Sequence, residues 1–193
     1  MMFDLARGFP TLATDRLRLR QLTEADAPAV FALYSDPVVM RYVNRLPMTT
    51  HAEAAAAIAR AATEFTEGRS LRLGLALPND DRVLGTINLL YFDWQSRRAE
   101  VGYGLGQAEW GQGFAGEAVV AILDYGFETL DLHRIEAELD PRNDRSARVL
   151  ERQGFVREGL LRERCIVGDE ISDSLIMGLL RSDYRNRAIR STG

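Results

Sequence analysis

The segment from Trp110 to Ala118 reads Trp-Gly-Gln-Gly-Phe-Ala-Gly-Glu-Ala and opens a predicted helix. Three glycines and one alanine are among the six residues after Trp110, so few side chains would keep a ligand away from the backbone. The first turn of a helix has N–H groups without intrahelical partners, and the helix dipole adds partial positive charge there. The segment therefore favours a phosphate or diphosphate site. The structural alternative is an ordinary glycine-rich turn before a core helix.

The residues before this loop alternate in the manner of a strand, from Ala99 to Leu105. Gly102, Gly104 and Gly106 weaken regular pairing, which predicts a bulged edge that can accept another extended chain. Alternation places Glu100 on the opposite face from Val101 and Tyr103.

A second segment runs from His133 to Leu150 and continues into Gln153-Gly154-Phe155. It predicts a strand, a turn, a helix capped by Asn143, and a stop at Gly154. Ser146 lies one turn after Asn143 on the same helix face.

Together the two segments resemble the acyl-CoA-binding half of the GNAT superfamily of N-acetyltransferases, most closely the RimJ/RimL-like, ribosomal-protein N-terminal acetyltransferase type. The phosphate loop of that family, Gln/Arg-x-x-Gly-x-Gly/Ala, corresponds to residues 110–115, with Trp110 in place of Gln or Arg. The similarity extends from about Leu12 to Leu180.

The resemblance implies acetyl-CoA as co-substrate, with the diphosphate held by backbone N–H groups of the loop. The implied cofactor-binding residues are Tyr103, Leu105, Trp110, Gly111, Gln112, Gly113, Phe114, Ala115, Gly116, Asn143 and Ser146. It also implies that two strands, one ending near Leu105 and one near Leu139, splay apart to receive the pantetheine arm.

Two side chains are the candidate catalytic groups. The Ser146 hydroxyl is expected to protonate the leaving thiolate, and Glu100 to accept a proton from the substrate ammonium through water. Glu136 and Glu138 are rival carboxylates on the neighbouring strand.

The resemblance also places an amine-acceptor groove between segments Pro37–Pro47 and Cys165–Glu170. Charged and aromatic residues in these segments would suit a peptide N-terminus: Arg41, Tyr42, Arg45 and Asp169. The RimJ/RimL resemblance implies that the acceptor is a protein N-terminal α-amine of the ribosomal-protein-alanine type. A polyamine or antibiotic is the alternative acceptor, and a non-catalytic CoA-binding regulator is the alternative function.

The periodicities predict an α+β fold with a mixed sheet of about seven strands flanked by about four helices, in the order β-α-α-β-β-β-α-β-α-β-β. The two later helices are expected to be the crossovers that parallel neighbouring strands require. The predicted divisions are an N-terminal extension at 1–11, one acetyltransferase domain at 12–180 and a frayed polar tail at 181–193. The second helix is predicted from a capping box at Thr50 and Glu53 to about Glu67, with Gly68 as its stop.

Composition and charge argue against several classes of function. The net charge of −4 argues against broad nucleic-acid binding, and all 24 basic residues are arginine. The single cysteine, Cys165, and two separated histidines make a metal site unexpected. No apolar run predicts a membrane span or a signal peptide, so a cytoplasmic protein is expected. The expected oligomeric state is a monomer or a homodimer.

Overall fold

The computed structural model describes residues 8–191, which form one continuous eight-stranded mixed sheet covered on both faces by helices. The strands are β1 Leu12–Ala13, β2 Arg18–Gln21, β3 Leu71–Ala76, β4 Val83–Asp93, β5 Arg98–Leu105, β6 Arg134–Leu139, β7 Val156–Val167 and β8 Glu170–Leu180. Their order across the sheet is β1-β2-β3-β4-β5-β6-β8-β7.

Six α-helices flank the sheet within the described residues. They are α1 Ala27–Ser35, α2 Pro37–Met40, α3 His51–Thr66, α4 Phe114–Asp124, α5 Asp144–Arg152 and α6 Arg181–Ser191. A 3-10 turn at Glu24–Asp26 precedes α1, and a π turn at Tyr125–Thr129 extends α4.

Strand alternation divides the apolar side chains between two buried clusters. Leu71, Leu73 and Leu75 of β3 pack with α4 residues such as Ile122 and Leu123 in the larger cluster. Side chains of α1 and α3 form the second cluster, which also contains Leu22. The helices thus bury both faces of the central strands, as a mixed sheet requires.

The only parallel neighbours among the described strands are β5 and β6, and their pairing is short. It joins Arg98 to Arg134, Ala99 to Ile135 and Glu100 to Glu136, and then stops. Beyond that point β5 pairs only with β4, while β6 continues against β8 as far as Leu139. The expected splaying of these two strands is therefore present.

The α+β class, the mixed sheet and the predicted order of strands and helices are confirmed, with three additional elements. These are β1, α2 and α6. The predicted cap of α3 at Thr50 is also confirmed, because the Thr50 hydroxyl accepts from the Glu53 N–H. The Glu53 carboxylate in turn accepts from the Thr50 hydroxyl at 3.0 Å.

Two local predictions are wrong. We expected both later helices to connect parallel neighbours, but α5 leads from β6 to β7, and β8 lies between these strands and pairs antiparallel with each. The segment from Arg181 does not fray: it forms α6 as far as Ser191, and Tyr184 donates a hydrogen bond to Asp124 at 2.8 Å. The division at residues 1–11, 12–180 and 181–193 stays a prediction, and residues 1–7 lie outside the described part of the chain.

Candidate active site

The parting of β5 and β6 leaves an open backbone edge on β5 from Val101 to Leu105. We expected a bulge at the glycines of this strand, and that is wrong: Gly102 and Gly104 pair in regular register with Asn88 and Thr86 of β4. The edge is open because β6 diverges, not because β5 is distorted. Its free N–H and C=O groups can pair with an extended ligand arm.

The glycine-rich loop begins where the open edge ends. The Trp110 indole N–H donates to Leu105 O at 2.9 Å, which ties the loop to the end of β5. Gly111 and Gly113 have φ of +77° and +84°, in the left-handed region that favours glycine. The first helical bond runs from Glu117 N–H to Gly113 O, so the preceding N–H groups of α4 have no intrahelical acceptor.

Arg16 is a residue of this site that sequence reasoning missed. Its guanidinium donates to Glu117 Oε2 at 2.7 Å and to Gln112 O at 2.9 Å, and it lies 4.8 Å from the Phe114 ring centroid. Burial opposes the ionised form of Glu117, but hydrogen bonds from the Thr14 hydroxyl and from Arg16 hold its pKa below the usual value. The pair braces the loop and brings a half-exposed cation to its rim.

The start of α5 faces the open edge from the other side. Asn143 caps this helix by accepting from the Ser146 N–H at 3.2 Å, as predicted. The Tyr103 hydroxyl of β5 donates to Ser146 O at 3.3 Å. Burial raises the pKa of Tyr103 to about 12, so this phenol stays protonated at neutral pH. The Tyr103 hydroxyl and the first turn of α5, which carries Ser146, thus lie beside the gap.

Glu100 lies where β5 and β6 part. Within residues 8–191 its carboxylate has no hydrogen-bond donor and no ion-pair partner. Burial raises the pKa of Glu100 to about 7; the nearby Glu138 and Glu136 charges add to the shift, and Arg164 opposes it. A carboxylate with such a pKa can exchange a proton near neutral pH.

The rival carboxylates are engaged. Glu136 accepts from Arg134 at 2.8 Å and from Arg98 at 3.0 Å. Glu138 accepts from the Ser174 hydroxyl at 2.7 Å and lies 3.8 Å from the Arg164 guanidinium. Their charges are partly balanced, whereas that of Glu100 is not.

The two predicted acceptor segments come together around a cleft of about 210 Å³. Residues 37–47, except Val38 and Val39, line one side, and Val167, Glu170 and Ser172 line another. Of the predicted residues Arg41, Tyr42 and Arg45 reach this cleft, whereas Asp169 is not among its lining residues.

Asp140 and Arg142 complete the lining, and sequence reasoning missed both. Arg142 donates to Asp140 Oδ1 at 2.9 Å and to Glu170 Oε1 at 2.6 Å. Hydrogen bonds from Arg142 hold the pKa of the Asp140 carboxyl below its usual value against the effect of burial. The acidic groups of the cleft are therefore already paired. The Asp-Pro-Arg sequence after a strand was the available signal.

Neither a metal cluster nor a membrane-spanning helix is found among residues 8–191. No group of three or more His, Cys, Asp or Glu side chains is placed there to hold a metal ion, and no helix is long and apolar enough to cross a bilayer.

Comparison with known proteins gives the family. The family model for the acetyltransferase (GNAT) domain matches residues 16–156. This chain belongs to the GNAT acetyltransferase family. The GNAT fold and N-acetyltransferase activity follow from that membership.

The GNAT enzyme has relatives with and without a named acceptor. It is 38% identical to the uncharacterized N-acetyltransferase p20 of Bacillus licheniformis over 90% of this chain and 98% of that protein. It is 30% identical to the ribosomal protein uS5-alanine N-acetyltransferase of Escherichia coli over 61% of each chain. The Vibrio cholerae spermidine N-acetyltransferase, solved with CoA and spermine, superposes with a TM-score of 0.79 at 25% identity, covering 90% and 100% of the two chains.

The residues of the GNAT enzyme fit acetyl-CoA, the acetyl donor of the family. The unpaired N–H groups that begin α4 suit a diphosphate, and a Cβ at Gly113 would project 3.3 Å from Arg16 Nη2 at the loop rim. The open edge of β5 suits an extended arm bearing amide groups.

Replacing Gly113 with Val should lower CoA affinity at least tenfold, or about 1.4 kcal/mol. The reason is that φ of +84° is strained for a β-branched residue and the new side chain would crowd Arg16. Calorimetric titration with CoA measures the loss. Gly159→Val is the control, because its Cβ meets nothing within 4 Å. Unchanged affinity in a folded Gly113→Val protein would remove the loop from the CoA site.

The pH profile should report Glu100. Because a general base must be ionised, kcat/KM should rise with pH through an inflection near 7, the value at which Glu100 loses its proton. Glu100→Gln should lower kcat by about 10²-fold and abolish this inflection. Glu136→Gln should retain it. Acceptors of different amine pKa separate this inflection from titration of the substrate. An inflection that persists in Glu100→Gln excludes Glu100 as the base.

Proposed function

We propose that this enzyme transfers the acetyl group of acetyl-CoA to a peptide or protein N-terminal α-amine by direct attack in a ternary complex. The single observation that carries the proposal is the unpaired Glu100 carboxylate, with its pKa of about 7, at the point where β5 and β6 part. Similarity to the ribosomal protein uS5-alanine N-acetyltransferase supports the acceptor class.

The basicity of the acceptor favours an α-amine. An α-amine has a pKa near 8 and a lysine side chain near 10.4, so roughly a tenth of α-amines but less than a thousandth of lysines are neutral at pH 7. A single carboxylate with a pKa of about 7 is a sufficient base for an α-amine but a weak base for a lysine side chain.

The proposed reaction needs no covalent enzyme intermediate. The substrate ammonium first gives one proton through water to Glu100. The neutral amine then forms the new N–C bond as the C–S bond breaks, and the second proton that its nitrogen loses replaces the one that Ser146 gives to the leaving thiolate. Backbone N–H groups on the open edge of β5 polarise the thioester carbonyl. Holding both substrates beside the gap supplies much of the rate through proximity.

The Ser146 hydroxyl donates a proton to the leaving thiolate in this proposal. It lies in the first turn of α5, where Asn143 orders the backbone. The Tyr103 hydroxyl lies beside the gap, and its hydrogen bond to Ser146 O directs the phenol toward the helix start. We assign Tyr103 to positioning the cofactor arm rather than to proton transfer.

The alternative acceptor is a polyamine, which the similarity to the spermidine N-acetyltransferase of Vibrio cholerae favours. The charges of the acceptor cleft argue against it. Both acids of the cleft, Asp140 and Glu170, pair with Arg142, whereas the cations Arg41 and Arg45 face it as well. A polycation would meet few free carboxylates there.

Ser146→Ala should lower kcat by about 10²-fold and leave CoA affinity nearly unchanged, because a general acid acts in the transition state. Steady-state kinetics with calorimetric titration separate the two effects. Tyr103→Phe should instead weaken CoA binding more than it lowers kcat. Loss of CoA binding alone in Ser146→Ala would make Ser146 a positioning residue.

An acceptor panel tests the substrate class. Peptides with a free small N-terminal residue should be acetylated, and N-terminally blocked peptides with an internal lysine should not. Thiol release and mass spectrometry give the rate and the modified position. If spermine or an aminoglycoside exceeds every peptide in kcat/KM, the α-amine assignment is wrong while the acetyltransferase activity stands. If CoA binds but no acceptor in the panel causes thiol release, the protein is a regulatory CoA-binding protein.

A further inference from the structure

Three arginines cluster near the acceptor cleft, and none of them forms an ion pair within residues 8–191. Arg45, Arg60 and Arg72 lie close enough for like-charge repulsion, while the Glu53 carboxylate attracts Arg45 without forming an ion pair. Arg45 lines the cleft, with its guanidinium 4.2 Å from the Tyr34 ring centroid. Its Nη2 atom is enclosed by protein and has no hydrogen-bond acceptor among the described residues. An enclosed, unpaired guanidinium nitrogen is unfavourable until an acceptor reaches it.

The register of the sheet connects this cluster to the gap. Arg72 of β3, Asn88 of β4 and Gly102 of β5 are direct neighbours in one row. Tyr34 contacts the same face, because its hydroxyl lies 2.6 Å from that of Thr86, two residues before Asn88 on β4. Two strand spacings separate Arg72 from Gly102 at the gap, or ~10 Å between backbones. An arginine side chain is long enough to extend along the sheet face, so the Arg72 guanidinium can lie closer to the gap than its backbone does.

Asn88 adds an unpaired group between the two ends of the row. Its side chain is 6% exposed, and its amide oxygen has no donor among residues 8–191. The row therefore offers, in order from the gap, a hydrogen-bond acceptor and then cations. A chain that begins with an amine and carries a carboxylate within two residues matches this order: its backbone N–H meets Asn88 and its carboxylate meets Arg72 and Arg45.

We propose that Arg45 and Arg72, with Asn88, select acceptors that bear a carboxylate at the first or second residue after the reacting α-amine. This inference rests on the proposed function and names its substrate more narrowly. It makes the arginines specificity determinants, and they take no part in the proton transfers.

Amidated pentapeptides that differ in one side chain test the proposal. One pair has Glu or Gln at the second residue, another has Asp or Asn at the first, and a further peptide has Lys at the second. The C-terminal amide leaves the side chain as the only carboxylate. In the wild-type enzyme each acidic peptide should exceed its amide partner at least tenfold in kcat/KM.

Variants of the two arginines should remove this preference. In Arg45→Gln and in Arg72→Gln the acid-to-amide ratio should fall toward one, and Arg45→Glu should favour the Lys peptide over the Glu peptide. Arg69→Gln is the matched control, because Arg69 is exposed and paired with Glu67, and it should keep the wild-type ratio. Circular dichroism and CoA titration verify that each variant is folded, and the two single variants are independent tests.

The outcomes separate this proposal from the assignment on which it rests. If acidic and amide peptides are acetylated equally well, or if the ratio persists in both arginine variants, the selectivity proposal is wrong and the α-amine assignment stands. If spermine is acetylated and no peptide is, both are wrong.

Discussion

The parting of β5 and β6 after the Glu100–Glu136 pair is the constraint on which the rest of the site depends. A sheet that stayed paired would leave no backbone group free to bind a ligand arm, because every N–H and C=O on both strands would be satisfied within the ladder. Here β4 holds one side of β5 and β8 holds one side of β6. Both β5 and β6 therefore stay in the sheet although the edges with which they face each other separate.

The divergence also creates the electrostatics of the gap. Glu100 occupies the last paired position, where it is partly removed from water and faces two further carboxylates on β6. Glu136 forms ion pairs with two arginines, and Glu138 accepts a hydrogen bond from Ser174 and lies near Arg164. Glu100 has no such partner among the described residues, and its pKa is raised. One strand geometry therefore accounts both for a binding edge and for a carboxyl group that titrates near neutral pH.

The loop at the far end of β5 depends on contacts with segments remote in sequence. Trp110 stands where the family motif has Gln or Arg, and its indole fastens the loop to Leu105 O. Arg145 of α5 lies 5.4 Å from the Trp110 ring centroid, which draws the start of α5 toward the loop. Arg16 supplies a cation at the rim, held by Glu117, so the substitution at position 110 does not leave the loop without positive charge.

The sequence alone predicted the helix caps, the periodic elements and the candidate site residues. Side-chain caps act within three residues, so Thr50 with Glu53 and Asn143 before Ser146 marked the starts of α3 and α5 correctly. Alternation and helical periodicity likewise predicted the seven principal strands and the helices that cover them, because burial of one face repeats at a fixed interval. The glycine-rich loop and the two catalytic candidates could also be named from residue type and spacing.

Only the tertiary structure decided which distant groups meet. Arg16 and Glu117 lie 101 positions apart, and nothing in the local pattern pairs them. Likewise, the insertion of β8 between β6 and β7, the stacking of Arg45 on Tyr34 and the row from Arg72 to Gly102 arise from strand order and register. The raised pKa of Glu100 is also decided by the tertiary structure, because it depends on burial and on the charges of another strand. Sequence determines local hydrogen bonding and periodicity, whereas burial and charge proximity are properties of the assembled sheet.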